Sequence, residues 1–294
     1  MTELRYLAPG TLDEAIGAFA AAGSAGRILA GGTDLLVQMR SGAIRPGLIV
    51  DIKKIKEMTA IEETAAGGFR VGAAVPGAVL AEHPRFGKVW PGVLEAINLI
   101  GSTQVQGRAS AGGNLCNGSP AGDSVPALVA AGAIATLQGP NGRREMPVEK
   151  VPAGPGRTNL LPGEILVSFT LPPRPRGSGD AYLRMIPRTE MDIAVVGVGV
   201  SLTMKGDTCI SARVGLGAVA PTVLLVEAAA KALTGSKLDA KALDAAANAC
   251  SAACRPIDDK RGTIRYRTKI AGVLLRRATA IAADRARGIS KQGH

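Results

Sequence analysis

Histidine is nearly missing from this chain of 294 residues, which contains His83 and His294 and no other. Serine and cysteine hydrolases need a histidine base beside the nucleophile, and most catalytic zinc sites use histidine ligands. Here His83 precedes Pro84 in a turn-like segment and His294 is the last residue, so neither has a catalytic or metal-binding spacing. A chain so poor in acid–base groups is expected to take its chemistry from a cofactor.

Cysteine is also scarce, and the scatter of Cys116, Cys209, Cys250 and Cys254 does not favour a disulfide framework. A reducing, cytoplasmic setting fits better. Cys250 and Cys254 have helical i, i+4 spacing in an alanine-rich segment, which we interpret as core packing rather than half of a metal site. No apolar run of about 18 residues occurs, and the start lacks a basic and then apolar pattern. We therefore expect no transmembrane helix and no signal peptide.

Aromatic residues make up only 3% of the chain, although its net charge is +11. The basic excess is concentrated after Ser251, where Tyr266 is the only aromatic residue. Nucleic-acid modules usually stack bases on several aromatic side chains. We therefore expect no nucleic acid as a partner, and interpret the basic segment as a solvated face or a docking face for acidic partner subunits.

Hydrophobic periodicity and glycine or proline punctuation predict an α+β protein of three parts, at residues 1–54, 55–176 and 177–294. A Pro/Gly-rich linker at 172–179 marks the clearest boundary. The predicted helices are 11–23 with a Thr11/Glu14 capping box, 34–40, 88–101, 125–133, 223–234, 239–253 and 265–286. The predicted strands are 27–31, 47–52, 69–75, a hairpin starting near 134, 163–172, and a second hairpin formed by 192–204 and 209–219.

Two glycine-rich loops are the strongest candidates for a binding site. The first is LAGGTDLL, Leu29 to Leu36, between a predicted strand and a predicted helix. Glycines there expose consecutive backbone N–H groups, and the helix start adds positive potential, so the loop suits a phosphate. Taken alone, its sequence favours an ordinary tight turn. The second is SAGGN, Ser110 to Asn114, followed by Asp123, whose carboxylate can accept from a ribose or ribityl hydroxyl.

A third motif, Gly215 to Ala220, matches the G-x-G-x-x-A dinucleotide fingerprint. In that fingerprint a helix begins inside the motif and a second strand follows the helix. Here Pro221 follows at once and the remaining sequence is mostly helical, so we reject this interpretation.

The ordered pair LAGGTDLL and SAGGNLCNGSPAGDSVPAL resembles the FAD-binding medium subunit of the molybdenum hydroxylases, such as aerobic carbon monoxide dehydrogenase and xanthine dehydrogenase. The resemblance extends over nearly the whole chain. It includes an opening Tyr6-Leu7-Ala8-Pro9, the segment from Tyr182 to Asp192-Ile193-Ala194, and Arg261-Gly262 with Tyr266-Arg267. It implies a two-subdomain FAD-binding module, PCMH/vanillyl-alcohol-oxidase-like, followed by an α+β C-terminal domain.

The resemblance also implies roles for particular residues. The FAD pyrophosphate would be held by Leu29, Ala30, Gly31, Gly32, Thr33, Asp34, Leu35 and Leu36 together with Ser110, Ala111, Gly112, Gly113 and Asn114. Asp123 would contact the sugar or ribityl chain, and Ile100 and Leu166 would line the flavin site. Arg184 stands where the family often has lysine, and Ile193 where a side chain covers one flavin face. Ser110-Ala111 departs conservatively from the family's usual Thr-Ile.

The resemblance further implies that this chain alone is not catalytic. It would accept electrons from a small 2Fe-2S subunit and pass them to an external acceptor. A large molybdenum-cofactor subunit would complete a heterotrimer, and two heterotrimers would form a dimer. Val223 and Leu225 replace a frequent Pro and Arg, and the chain lacks the cysteine-rich insert that carries a cluster in some relatives. Two alternatives remain: a self-sufficient FAD-dependent oxidase or reductase of related fold, and a basic binding protein without a cofactor.

Overall fold

The computed structural model describes residues 3–189 and 191–289. The helices are α1 Leu12–Ala22, α2 Leu35–Arg40, α3 Lys56–Thr59, α4 Gly77–Glu82, α5 Phe86–Val89, α6 Pro91–Asn98, α7 Ala111–Cys116, α8 Ser124–Ala130, α9 Glu227–Leu233, α10 Ala240–Ala253 and α11 Ile264–Ala286. The strands are β1 Arg5–Leu7, β2 Gly26–Leu29, β3 Leu48–Asp51, β4 Ile61–Glu63, β5 Phe69–Gly72, β6 Ile134–Gly139, β7 Gly142–Pro147, β8 Pro152–Gly154, β9 Arg157–Thr158, β10 Ile165–Leu171, β11 Ser178–Met185, β12 Val196–Lys205, β13 Thr208–Gly217 and β14 Leu224–Leu225.

The first sheet has the parallel order β1-β3-β2, with the fully buried strand β3 in the middle. Helix α1 connects β1 to β2 and begins where predicted, because the Thr11 hydroxyl accepts a hydrogen bond from the Glu14 amide at 3.3 Å. The Glu14 carboxylate reaches back to the Gly10 amide at 3.2 Å, a variant of the expected capping box. Since the three strands are parallel, the loops after β2 and β3 emerge at the same edge of the sheet.

The second sheet has the order β4-β5-β10-β6-β7, and its pairs are antiparallel. Its central strand β10 carries an almost continuous apolar run and is buried, as is typical of a strand covered on both faces. One prediction here was wrong, because residues 88–101 do not form a single helix. Pro91 has no amide hydrogen and occupies the first turn of a new helix, so the segment divides into α5 and α6.

The third sheet has the order β11-β12-β13-β14; α11 packs on β11 and β12, α9 packs on β13, and α10 packs on both of these helices. The hairpin of β12 and β13 was predicted, whereas β11 and β14 were not. Residues 223–234 do not form one helix as predicted, because the short strand β14 precedes α9. The sheet packs on α11 through its own apolar core, separate from the core shared by the first two sheets.

Glycines in the third sheet let helix α8 lie directly on it. A Cβ atom on Gly199 would stand 2.5 Å from the Pro126 carbonyl oxygen, and one on Gly215 would stand 2.3 Å from it. Gly215 and Gly217 belong to β13, and no helix starts among them. The rejected dinucleotide fingerprint is therefore a packing motif, in which small residues allow the two halves of the chain to touch. None of the described helices is long and apolar enough to cross a bilayer.

Candidate cofactor-binding site

A cleft of about 850 Å³ opens between the first two sheets, and both predicted glycine loops form its walls. The predicted residues that line it are Ala30, Gly31, Gly32, Thr33, Asp34, Leu35, Ile100, Ser110, Gly112, Gly113, Asn114 and Leu166. The other predicted residues, Leu29, Leu36, Ala111, Asp123, Arg184 and Ile193, lie outside the lining. Its volume suits a ligand of dinucleotide size.

The first loop presents a run of free backbone donors. The amides of residues 31–35 have no acceptor within the described part of the chain. Gly32 has φ +80°, a conformation that side-chain-bearing residues rarely adopt, and it turns the chain between β2 and α2. Several consecutive N–H groups directed into a cavity form an anion-binding concavity. Phosphate binding by this loop stays a prediction, and the unpaired amides support it.

The two loops touch each other through glycine. A Cβ atom on Gly31 would stand 2.0 Å from the Arg108 carbonyl oxygen, so the first loop lies against the backbone that leads into the second. A Cβ atom on Gly112 would stand 2.3 Å from the Ala73 carbonyl oxygen. These two glycines thus serve loop packing. Gly113 differs, because a Cβ atom there would meet only Ser110 Oγ at 3.3 Å and Ala30 Cβ at 4.0 Å, in the gap between the loops.

Side-chain hydrogen bonds hold the second loop in place. The Ser110 hydroxyl accepts a hydrogen bond from the Gly113 amide at 3.1 Å and caps α7. The Asn114 side-chain oxygen accepts from the Ser124 hydroxyl at 2.7 Å, which joins α7 to the start of α8. Gln38 on α2 donates to the Asn117 side chain, just after α7, at 3.1 Å. This hydrogen bond links the helices that follow the two loops.

Asp123 lies in a buried cluster rather than on the cleft wall. Arg184 donates to one of its carboxylate oxygens at 2.8 Å, and the Tyr182 hydroxyl donates to the other at 3.1 Å. Burial raises the pKa of Asp123 to about 6, although Arg184 and Tyr182 oppose that shift. Arg184 also donates to the Leu99 carbonyl at 2.8 Å, just before Ile100 of the cleft wall. The cluster therefore supports that wall, and a direct contact of Asp123 with a sugar stays a prediction.

Ile193 is half exposed and sits in the loop after β11. Its amide donates to the Asp192 carboxylate at 2.7 Å, and Arg261 donates to the same carboxylate at 2.8 Å. The hydrogen bond from Arg261 is the largest cause that lowers the pKa of Asp192 to about 2. Neighbouring Met191 lies near Gly101, at the Ile100 end of the cleft. The position of Ile193 is thus compatible with covering a ring there, which stays a prediction.

One wall of the cleft was missed by the sequence reasoning. It consists of Phe19 and Ala20 in the last turns of α1, of Gly23 and Ser24 just after α1, and of Gly156, Thr158 and residues 160–165, which lead into β10. Glu164 holds this second segment, because its carboxylate accepts from Arg144 at 2.6 and 2.7 Å and from the Leu161 amide at 2.6 Å. The glycines and prolines at 154–156 and 162–163 are typical of turns, and the approach of this segment to α1 is a long-range contact without a local signal.

Known protein families match this arrangement. Residues 2–174 match the FAD binding domain in molybdopterin dehydrogenase, and residues 181–282 match the CO dehydrogenase flavoprotein C-terminal domain. The chain belongs to the FAD-binding medium subunits of the molybdenum hydroxylase family. It is an FAD-binding oxidoreductase subunit.

Individual proteins that are similar to this FAD-binding subunit belong to the same family. The carbon monoxide dehydrogenase medium chain of Afipia carboxidovorans is 35% identical over 288 residues, which cover 96% of this chain and 97% of that one. The putative xanthine dehydrogenase FAD-binding subunit of Escherichia coli K12 is 31% identical over 220 residues, or 74% and 75% of the two chains. A solved Cu,Mo-CO dehydrogenase chain superposes with a TM-score of 0.93 at 34% identity and covers 96% of this chain and 98% of its own. The α+β architecture predicted from the sequence is confirmed.

Proposed function

We propose that the subunit holds FAD noncovalently in the cleft, with the pyrophosphate between the loops 29–36 and 110–114, and relays electrons without oxidising an organic substrate itself. The free amides of residues 31–35 carry this proposal, because their loop and the second loop line the same cleft, and Gly113 places no side chain between the two loops. A pyrophosphate held from both sides needs two such loops, whereas the single phosphate of FMN needs one.

The cleft itself supplies binding and orientation rather than acid–base chemistry. Asp34 and Glu164 are the carboxylates of its lining, and Arg144 already engages Glu164. Burial raises the pKa of Asp34, which has no cationic partner among the described residues. No catalytic pair of a base and a nucleophile lines the described cleft, which favours the relay over the self-sufficient oxidase.

The bound flavin would supply one- and two-electron chemistry between an iron–sulfur donor and an external acceptor. The name "medium chain" of the carbon monoxide dehydrogenase relative implies subunits of other sizes for that enzyme. We extend this to a large molybdenum-cofactor subunit and a small 2Fe-2S subunit here, assembled as a dimer of heterotrimers in the cytoplasm. Met191, at the Ile100 end of the cleft, and Ile193, two residues further on, are half exposed and suited to burial by a partner.

The loop assignment is tested by Gly113→Val, with Gly107→Val as the matched control six residues upstream. A Cβ atom on Gly107 meets nothing within 4 Å, and Gly107 is exposed. We expect Gly113→Val to fold but to lose FAD, and Gly107→Val to retain it. Acid precipitation should release FAD, not FMN, from the wild-type chain. Full flavin content in Gly113→Val, or flavin kept in the pellet, would refute the assignment.

The relay is tested by anaerobic flavin bleaching. The chain alone should not be bleached by substrates of the relatives, and bleaching should appear only when both partner subunits are present. Substrate-driven bleaching by the chain alone would instead establish the self-sufficient oxidase. The compound that reoxidises the bleached flavin in the complex is then the external electron acceptor.

A further inference from the structure

We infer that Lys53, which lies outside the cleft lining, is a positioning residue that presets the first glycine loop for the FAD pyrophosphate. This inference rests on the proposed placement of the pyrophosphate between the two loops. Lys53 follows β3 at the sheet edge where β2 ends and the loop begins. Its ammonium donates to the Ala30 carbonyl oxygen at 2.9 Å.

Lys53 is itself held by a chain of hydrogen bonds that leads away from the cleft. Its ammonium lies 2.7 Å from Asp51 Oδ1, and its backbone amide donates to the same oxygen at 3.0 Å. The other carboxylate oxygen, Oδ2, accepts from the Tyr6 hydroxyl at 2.7 Å. Burial alone would raise the pKa of Asp51, but the hydrogen bonds from Lys53 and Tyr6 lower it. Asp51 is therefore ionised at neutral pH and keeps the ammonium in place.

The consequence for the loop follows from peptide geometry. In a trans peptide the C=O and N–H groups point in opposite directions. Because Lys53 draws the Ala30 carbonyl to one side, the Gly31 amide is directed to the other, where Gly31 lines the cleft. Gly31 also packs closely against the Arg108 carbonyl, so the Ala30–Gly31 peptide is contacted on two sides. The first of the free donors is thus oriented before the cofactor arrives, which lowers the ordering cost of binding.

The experiment compares dissociation constants of FAD, ADP and riboflavin for the flavin-free full-length chain and its variants. Lys53→Met removes the donors and keeps the side-chain length, Lys53→Arg restores a charged donor, and Lys54→Met is the control for net charge. Lys54 is exposed and has no hydrogen-bond or ion-pair partner among the described residues. We expect Lys53→Met to weaken FAD and ADP about tenfold. Riboflavin, which has no phosphate, should bind unchanged, as should all three ligands to Lys54→Met.

Asp51→Asn separates positioning from simple charge attraction. This variant makes the chain more positive, so attraction alone predicts tighter FAD binding, whereas loss of the anchor predicts weaker binding. Positioning also predicts that the Lys53→Met effect persists at high salt, where attraction between exposed charges is screened. Lys53→Arg should recover most of the affinity. If Lys53→Met does not fold, Asp51→Asn and Tyr6→Phe carry the same test.

The outcomes separate this inference from the proposed function. Wild-type affinity for FAD in Lys53→Met, or tighter binding in Asp51→Asn, would overturn the positioning role and leave the FAD site intact. An effect on riboflavin but not on ADP would show that the loop does not hold the pyrophosphate, and the site assignment would fail. A wild-type chain that binds neither FAD nor ADP would refute the proposed site itself.

Discussion

The Tyr182 hydroxyl donates a hydrogen bond of 3.1 Å to the Asp123 carboxylate, and this contact joins the C-terminal domain to the helix start beside the cofactor cleft. Tyr182 lies on β11, whereas Asp123 immediately precedes α8. Both residues are almost fully buried. The pair belongs to the contact through which the C-terminal domain supports the cleft wall, together with the Arg184–Leu99 hydrogen bond.

Asp123 should give the apoprotein a recognisable pH dependence. Burial raises its pKa from 3.8 to about 6, so the folded chain binds this proton more tightly than the unfolded chain. The stability that protonated Asp123 contributes is complete below about pH 4 and is lost as the pH rises through about 6, up to about 3 kcal/mol. Relative to Asp123→Asn, the wild type should therefore lose stability across that window in urea titrations. A difference between the two proteins that stays constant from pH 4 to 7 would contradict this.

The buried ion pair of Arg174 and Asp180 should be costly to break. Arg174 donates to Asp180 at 2.7 Å, its guanidinium lies 4.4 Å from the Trp90 ring centroid, and both charged side chains are buried. Arg174→Leu should lower the free energy of unfolding by about 3–5 kcal/mol, because it leaves a buried carboxylate without its main partner. Exposed Arg176→Leu is the matched control and should cost under about 0.5 kcal/mol. Equal costs for the two variants in urea titrations would refute this account.

Cys116 should report cofactor binding. It is the exposed cysteine and lines the cleft, whereas Cys209, Cys250 and Cys254 are buried. Although Cys116 is exposed, the protein atoms around it desolvate the thiolate and raise the pKa of the thiol to about 12, so its reaction with excess N-ethylmaleimide should be slow. Peptide mapping should nevertheless find Cys116 alkylated first in the apoprotein, and saturating FAD should slow that reaction at least about tenfold. Equal labelling with and without FAD would place the cofactor elsewhere.

Glu164 should stabilise the cleft wall formed by residues 156–165, which sequence reasoning missed. The Arg144 hydrogen bond is the main cause that lowers the pKa of Glu164 below 4.5. Glu164→Gln should reduce the free energy of unfolding at pH 7 by about 1–3 kcal/mol. Because the folded-state pKa is lowered, the difference from wild type should be present above pH 4.5 and shrink as the pH falls below it. Exposed Glu145→Gln on β7 is the control; a pH-independent difference for Glu164→Gln would contradict the assignment.

Local patterns in the sequence were sufficient for much of the fold and for both loops. Thr11 caps α1 because a hydroxyl at that position accepts from an amide three residues on, and the Lys205-Gly206-Asp207 turn sets up the β12–β13 hairpin. The order of the glycine loops indicated the family and FAD. These features depend on residues close in sequence, so a single chain displays them directly.

Other features exist only because distant segments meet. The burial of Asp123 depends on Tyr182 and Arg184, some 60 residues away, and the missed cleft wall brings α1 next to residues 156–165. The G-L-G pattern at 215–217 imitates a cofactor fingerprint locally, yet it serves the approach of Pro126. Burial, pairing and close backbone approach are properties of the packed chain, and the same residue types have different roles when the surrounding elements differ. The sequence by itself thus determined the cofactor and indicated two loops that line one cleft, whereas tertiary packing decided which side chains line the cleft and which contact its walls from outside.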